Sequence, residues 1–243
     1  MNLFDYTIKS TDEYCQWLWN HFPKKCLKSI LDIGAGDGRL WENQLCSIPS
    51  KATILLMDED ELALEEALTS LDDPRFKIKV ANVETEDFGK NKFDLIYAGS
   101  LLPYIKKRKK LYLKVFDSLK EGGLFISDLN GKNNLIELRN DTVKNILSPL
   151  KPQNPIWQLA KGINLEEVHE ELEDHFANCK IIKFKNAVHV PNAKMIVSYH
   201  AKFEKKLTAT QRKELLEYYD SLRSATKDHI TLTLDWGIVV LKK

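Results

Sequence analysis

Ile30-Leu31-Asp32-Ile33-Gly34-Ala35-Gly36-Asp37-Gly38-Arg39-Leu40 is the stretch that decides the fold. An apolar run of strand character, Ile30 to Ile33, enters glycines at three alternate positions, and a helix-compatible segment follows. Glycine has no Cβ, so the backbone can turn sharply and lie close against a ligand. In an α/β sheet such a loop aims strand-end carbonyls and helix-start amides into one crevice. The expectation is a nucleotide-type ligand at the end of the first strand. The plainer reading is a glycine-rich turn that only joins strand to helix.

The spacing narrows the ligand. A dinucleotide loop reads Gly-x-Gly-x-x-Gly. Gly34 and Gly36 fit, but Arg39 stands at the third position and the third glycine comes one residue early, at Gly38. Asp32 precedes the first glycine. This Asp-x-Gly-x-Gly-x-Gly form resembles motif I of the class I S-adenosylmethionine-dependent methyltransferases. The resemblance implies that Asp32, Gly34, Ala35, Gly36 and Gly38 surround the methionine and ribose parts of S-adenosylmethionine, with no pyrophosphate to cradle.

The 243 residues suffice for one α/β domain with an elaboration. The chain is 29% charged and 43% hydrophobic, with net charge +1. That balance gives no general attraction to nucleic acid or anionic membranes. With no long apolar run and no secretory-type N-terminus, the expected location is cytoplasmic. Cys15, Cys26, Cys46 and Cys179 are scattered and are expected to be reduced, the first three as small buried hydrophobes. The six histidines are dispersed, so no metal site is expected.

Ser10 to Glu13 reads as a capping box for a helix carrying Tyr14, Trp17, Leu18 and Phe22, ended by Pro23. This helix covers the sheet or, as the resemblance implies, lids the cofactor. Strands are expected over residues 29–33, 53–57, 76–80, 93–98 and 124–128, the last after a Glu121-Gly122-Gly123 turn. Helices are expected after the glycine loop, from about Asp60, and from Lys107 to Leu119. Residues 129–164 read as polar loop. A helix over 165–177, a strand over 180–184, helices over 193–205 and 208–223, and a closing strand over 230–241 complete the chain. The fold class is α/β. It is a doubly wound, Rossmann-like seven-stranded sheet with an antiparallel last strand, in three αβα layers, with an inserted helical substrate region. The expected organisation is a single domain, 1–243. It comprises an N-terminal helical cover (1–28), a cofactor-binding half (29–128), and a substrate region with the closing strands (129–243).

Four sites line up at carboxyl ends of strands, where open α/β sheets bind ligands. Besides the glycine loop there is Asp58, a carboxylate able to accept from both ribose hydroxyls, with Glu59 as a substitute. Its plainer role is a helix N-cap. The resemblance places an acidic residue after strand three against the adenine amine. Here Asn82 stands in that place, with Val83 beside it. Gly99 and Ser100 follow strand four, where the resemblance implies the sulfonium region. Tyr104 is the candidate for substrate contact and catalysis. The basic run Lys106 to Lys110 is either an anion contact or a solvated helix start.

Methyl transfer from a sulfonium needs alignment, dryness and at most a proton acceptor, so the lack of a nucleophile–base pair is no obstacle. Layout after strand five is similar to the trans-aconitate and malonyl-carrier-protein methyltransferases. The expected function is S-adenosylmethionine-dependent methyl transfer to O or N of a small molecule. Trp157, His189, Tyr199, His200, Tyr218 and Tyr219 are candidates to line the acceptor pocket. The alternatives are a protein or RNA methyltransferase, an inactive cofactor-binding partner subunit and, against the glycine spacing, a nicotinamide-dependent oxidoreductase.

Overall fold

The computed structural model describes residues 3–24, 27–148, 162–173, 176, 178–204, 207–223 and 228–243. The strands are β1 Ser29–Ile33, β2 Thr53–Asp58, β3 Phe76–Val80, β4 Phe93–Gly99, β5 Leu119–Asn130, β6 Cys179–Val190 and β7 Ile230–Lys242. The helices are α1 Thr11–Trp19, α2 Arg39–Glu42, α3 Glu61–Leu71, α4 Arg108–Ser118, α5 Asp141–Leu147, α6 Leu165–Glu173, α7 Ala193–Phe203 and α8 Ala209–Ser221. The strands form one sheet in the order β3-β2-β1-β4-β5-β7-β6. β3, β2, β1, β4 and β5 pair in parallel. The last strands are antiparallel, with Lys243 N–H donating to the Gly123 carbonyl and Gly122 N–H to that of Lys243.

The chain divides into two compact units. One comprises Thr11–Leu129, Ile163–Lys183 and Gly237–Lys243, and so contains the whole of the expected cofactor-binding half. Its strands alternate sides. Leu31, Ile33, Ile96 and Phe125 face Leu111, Tyr112 and Val115 of α4 and Leu165, Val168 and Leu172 of α6. Ile30, Leu95, Tyr97 and Ile126 face Leu18 and Trp19 of α1, Trp41 of α2, and Leu64, Ala67 and Leu71 of α3. Helices cover both faces because a parallel strand buried on both sides must be apolar on both. On the first face, Arg108 of α4 donates to Glu171 of α6 from Nε (2.9 Å) and Nη2 (2.6 Å), and Tyr112 donates to the same carboxylate at 2.8 Å.

The other unit comprises Met1–Ser10, Asn130–Gly162 and Phe184–Trp236. Its core joins Val143 and Leu147 of α5, Ile196 and Val197 of α7, and Leu215 and Tyr219 of α8. They pack with Val188, Val190, Ile230, Leu232 and Leu234 of the two strands. Thr208 and Gln211 form a reciprocal capping box at α8, of a kind contributing about 1 kcal/mol.

Four expectations are corrected. Residues 129–164 are not all loop. A 3₁₀ turn at Ile136–Leu138 and α5, capped by Asn140 accepting from Val143 N–H, lie within them. β6 has twelve residues rather than five. β5 begins at Leu119, so Glu121-Gly122-Gly123 lies inside the strand, where the register with β4 shifts between Phe93 and Leu95. The expected ends of two helices, at 174–175, 177 and 205, lie outside the described residues, as does Cys26. Cys46 is exposed, not buried, because it sits on the short 3₁₀ turn Leu45–Ser47.

Candidate functional site

The glycine loop leaves β1 with Gly34 at φ +70°, in the left-handed region. Gly34 and Ala35 N–H both donate to the Met57 carbonyl, at 2.8 and 3.1 Å, which ties the loop to the end of β2. A Cβ on Gly34 would stand 2.8 Å from Leu101 Cδ1. The loop and the segment after β4 touch only because that side chain is missing. At Gly36 the geometry is opposite: among the described residues nothing lies within 4 Å of where a Cβ would stand.

Asp58 ends β2. One carboxylate oxygen accepts from Gly36 N–H at 2.9 Å and the other from Asp60 N–H at 3.0 Å. Its plainer role as a cap is taken by Asp60, which accepts from Ala63 N–H at 3.2 Å and starts α3. Asp58 therefore stands oriented, one lone pair per oxygen used and the others free for outside donors.

Gly34, Asp58, Glu59, Asn82 and Val83 line one pocket of about 120 Å³ with Met57, Ala81, Glu84, Leu101, Tyr104 and Ile105. Asn82 Oδ1 accepts from Glu84 N–H at 2.9 Å, and its Nδ2 donates to Glu59 Oε2 at 2.9 Å. Glu84 in turn accepts from Lys107 N–H at 2.8 Å, and Lys114 Nζ donates to the carbonyls of Val83 and Glu86. The loop after β3 is thus pinned from several sides. Tyr104 stands at the rim and is 80% exposed.

Ala35, Gly36, Gly38, Gly99, Ser100 and Asp32 lie outside that lining. Asp32 is buried on the α1–α3 face, where its Oδ2 accepts from Trp41 Nε1 at 2.7 Å. Its Oδ1 has no partner among the described residues. Burial pushes this carboxyl up to about 7 against the lowering effect of Trp41, with Asp128 and Asp58 adding repulsion.

A second cluster, not anticipated, lies on the same face. Asp128 on β5 accepts from Tyr97 on β4 at 2.6 Å and from Tyr14 on α1 at 3.2 Å. Ser100 N–H reaches its Oδ1 and Ser100 Oγ its Oδ2, at 3.2 and 3.3 Å. Burial raises the Asp128 carboxyl, the hydrogen bonds opposing it, and burial also pushes both tyrosines well above the ordinary phenol range. The strand-end position that singled out Asp58 applies equally to Asp128, so the signal was in the sequence.

The basic run is partly engaged through Arg108 and the Lys107 amide. Of the acceptor-pocket candidates, Trp157 lies outside the described residues. His200 is buried, held 2.6 Å from the Tyr219 hydroxyl and pushed down to about 4 by burial. His189 stacks on His229 at 3.7 Å, and Tyr218 bonds Asn140. Tyr199 lines a cavity of about 600 Å³ with Leu3, Phe4, Lys194, Met195, Ser198, Lys202 and Phe203. No group of three or more metal-ligating side chains occurs among the described residues, and none of their helices is long and apolar enough to cross a membrane.

Residues 30–123 match the family described as methyltransferase domain. A malonyl-[acyl-carrier protein] O-methyltransferase 2 of Ilyobacter polytropus is 27% identical over 153 residues, 61% of this chain and 54% of that protein. Phosphoethanolamine N-methyltransferase 2 of Haemonchus contortus, solved with S-adenosyl-L-methionine, is alike in fold. It gives a TM-score of 0.58 at 18% identity over 96% of this chain and 53% of that one. The chain spans about half the length of each of these two. An S-adenosylmethionine-dependent methyltransferase from Mesorhizobium loti gives 0.58 at 17% identity, covering 96% and 100%. The Asp-x-Gly-x-Gly-x-Gly loop at the head of a sheet closed by antiparallel strands lies within the matched residues, so residues 30–123 are similar to the methyltransferase domain in sequence as the chain is to methyltransferases in fold.

Proposed function

We propose that this chain binds S-adenosylmethionine and transfers its methyl group in line to an oxygen or nitrogen of a small molecule. The observation that carries the reading is the Asp58 carboxylate, oriented by the Gly36 and Asp60 amides beside a glycine loop that touches Leu101. The residues fit the cofactor. Asp58 keeps acceptor capacity for two ribose hydroxyls. The Asn82 carbonyl, with one lone pair on Glu84, keeps the other for the adenine amine, and Val83 supplies the neighbouring backbone. The pocket's 120 Å³ is below the ~300–1,000 Å³ of a typical ligand site, so it encloses one part of such a ligand and leaves the rest over the open ground at Gly36. When bound, the cofactor supplies a methyl group already activated by the positive charge on sulfur. The chain's own task is to orient, exclude water and accept a proton where the acceptor needs it. Tyr104, exposed at the rim, is our candidate for contact with the acceptor.

The near-neutral charge favours a small acceptor over nucleic acid, as does the engagement of Arg108 with Glu171. The name of the phosphoethanolamine N-methyltransferase agrees with that class, while the malonyl-[acyl-carrier protein] O-methyltransferase is named for a small acyl group held on a carrier protein. The test is calorimetry with S-adenosylmethionine against NAD, followed by a screen of small oxygen and nitrogen acceptors with methyl-labelled cofactor. Binding of the first ligand only, with label passed to a small acceptor, is the expected result. Binding of NAD alone contradicts the reading. Binding of S-adenosylmethionine with label passed only to protein or RNA overturns the small-molecule assignment.

A further inference from the structure

Ser100 is a non-glycine residue held at φ +48°. A side chain in the left-handed region is disfavoured and persists only where its surroundings impose it. Among the described residues its hydrogen bonds run to one residue. Ser100 N–H is shared between the main-chain carbonyl and the Oδ1 of Asp128, each at 3.2 Å, and Ser100 Oγ donates to Oδ2 at 3.3 Å. The carboxylate is itself fixed by the Tyr97 and Tyr14 hydroxyls. The next residue, Leu101, returns to the right-handed region (φ −81°) and presses its side chain on the bare α-carbon of Gly34. Both residues line the candidate pocket.

We infer that Asp128 is a positioning residue: it locks the Ser100 corner and so sets Leu101 against the glycine loop as a wall of the binding pocket. This rests on the function proposed above only in taking S-adenosylhomocysteine as the probe. Asp128 lies outside the pocket lining and acts through Ser100 and Leu101. The Tyr14 bond extends the same lock to α1, which makes that helix a brace for the corner as well as a cover for the sheet.

The test exploits glycine, which takes left-handed angles without penalty. In Asp128→Ala, hydrogen exchange of the ligand-free protein should quicken at residues 100–101, and affinity for S-adenosylhomocysteine should fall about tenfold. Adding Ser100→Gly to that variant should restore most of the affinity, because the corner then needs no anchor. Asp128→Asn, which keeps the shape and one acceptor oxygen, should lose less. It carries the same comparison, with and without Ser100→Gly, if the alanine variant does not fold. Unchanged exchange and affinity in Asp128→Ala would overturn the inference. So would a double variant as weak as the single one, since Asp128 would then act by another route. A wild-type protein that ignores S-adenosylhomocysteine would defeat the proposed function instead, leaving the exchange result to decide the role of Asp128.

Discussion

A carboxylate that gives each oxygen one backbone N–H is held still without being used up, and Asp58 is in that state. Replacing it with alanine should weaken S-adenosylhomocysteine binding by about ten- to a hundredfold, the loss of two hydrogen bonds to a charged acceptor. Calorimetry checks this; an unchanged affinity would remove the ribose role. Asp32 carries a different prediction. Its carboxyl ionises at about 7 in the folded chain against 3.8 in an unfolded one. The stability it confers is therefore full below pH 3.8 and is lost as pH rises to about 7. Measured by denaturant unfolding, wild type should lose stability relative to Asp32→Asn across that window, by no more than about 4 kcal/mol, and run parallel to it above. A difference independent of pH would contradict the buried, raised carboxyl. The motif showed that Asp32 heads the loop. It did not show the pleat, which sends the side chain to Trp41 rather than to the pocket.

Elements with apolar runs on both sides, β1, β2 and β4, were legible at once, because burial on two faces leaves little choice of residue, and β3 showed itself by Phe76, Ile78 and Val80 alternating with lysines. What escaped was built from weaker signals. α5 buries only Val143 and Leu147 and hides between polar stretches. β6 has the polar Lys185-Asn186 pair at its middle, so only residues 180–184 of its twelve read as a strand. The Asp128 cluster escaped because its members come from three distant elements that only the sheet order brings together. The glycine loop itself offers a test at this scale. Gly34→Ala must place a Cβ at φ +70° and against Leu101. It should cost about 1–2 kcal/mol in urea unfolding from the backbone alone. Leu101→Ala in the same chain should relieve the collision but not that backbone cost. A Gly34→Ala protein as stable as wild type would mean that the loop does not hold this conformation.

At the scale of the molecule, the cofactor reading draws on one unit only. Every residue that lines the candidate pocket lies within Thr11–Leu129. The unit containing α5, α7 and α8 carries aromatic and histidine side chains that mostly satisfy one another, as His200 does with Tyr219. Composition and motif spacing speak to a donor whose shape is common to a family, whereas an acceptor is chosen by a few side chains that no spacing rule marks. The most direct measurement is a crystal structure of the chain with S-adenosylhomocysteine. The account predicts both ribose hydroxyls within hydrogen-bonding distance of the Asp58 carboxylate and the adenine beside Asn82 and Val83. Adenosine bound elsewhere, with the loop from Gly34 to Gly38 remote from it, would contradict the account.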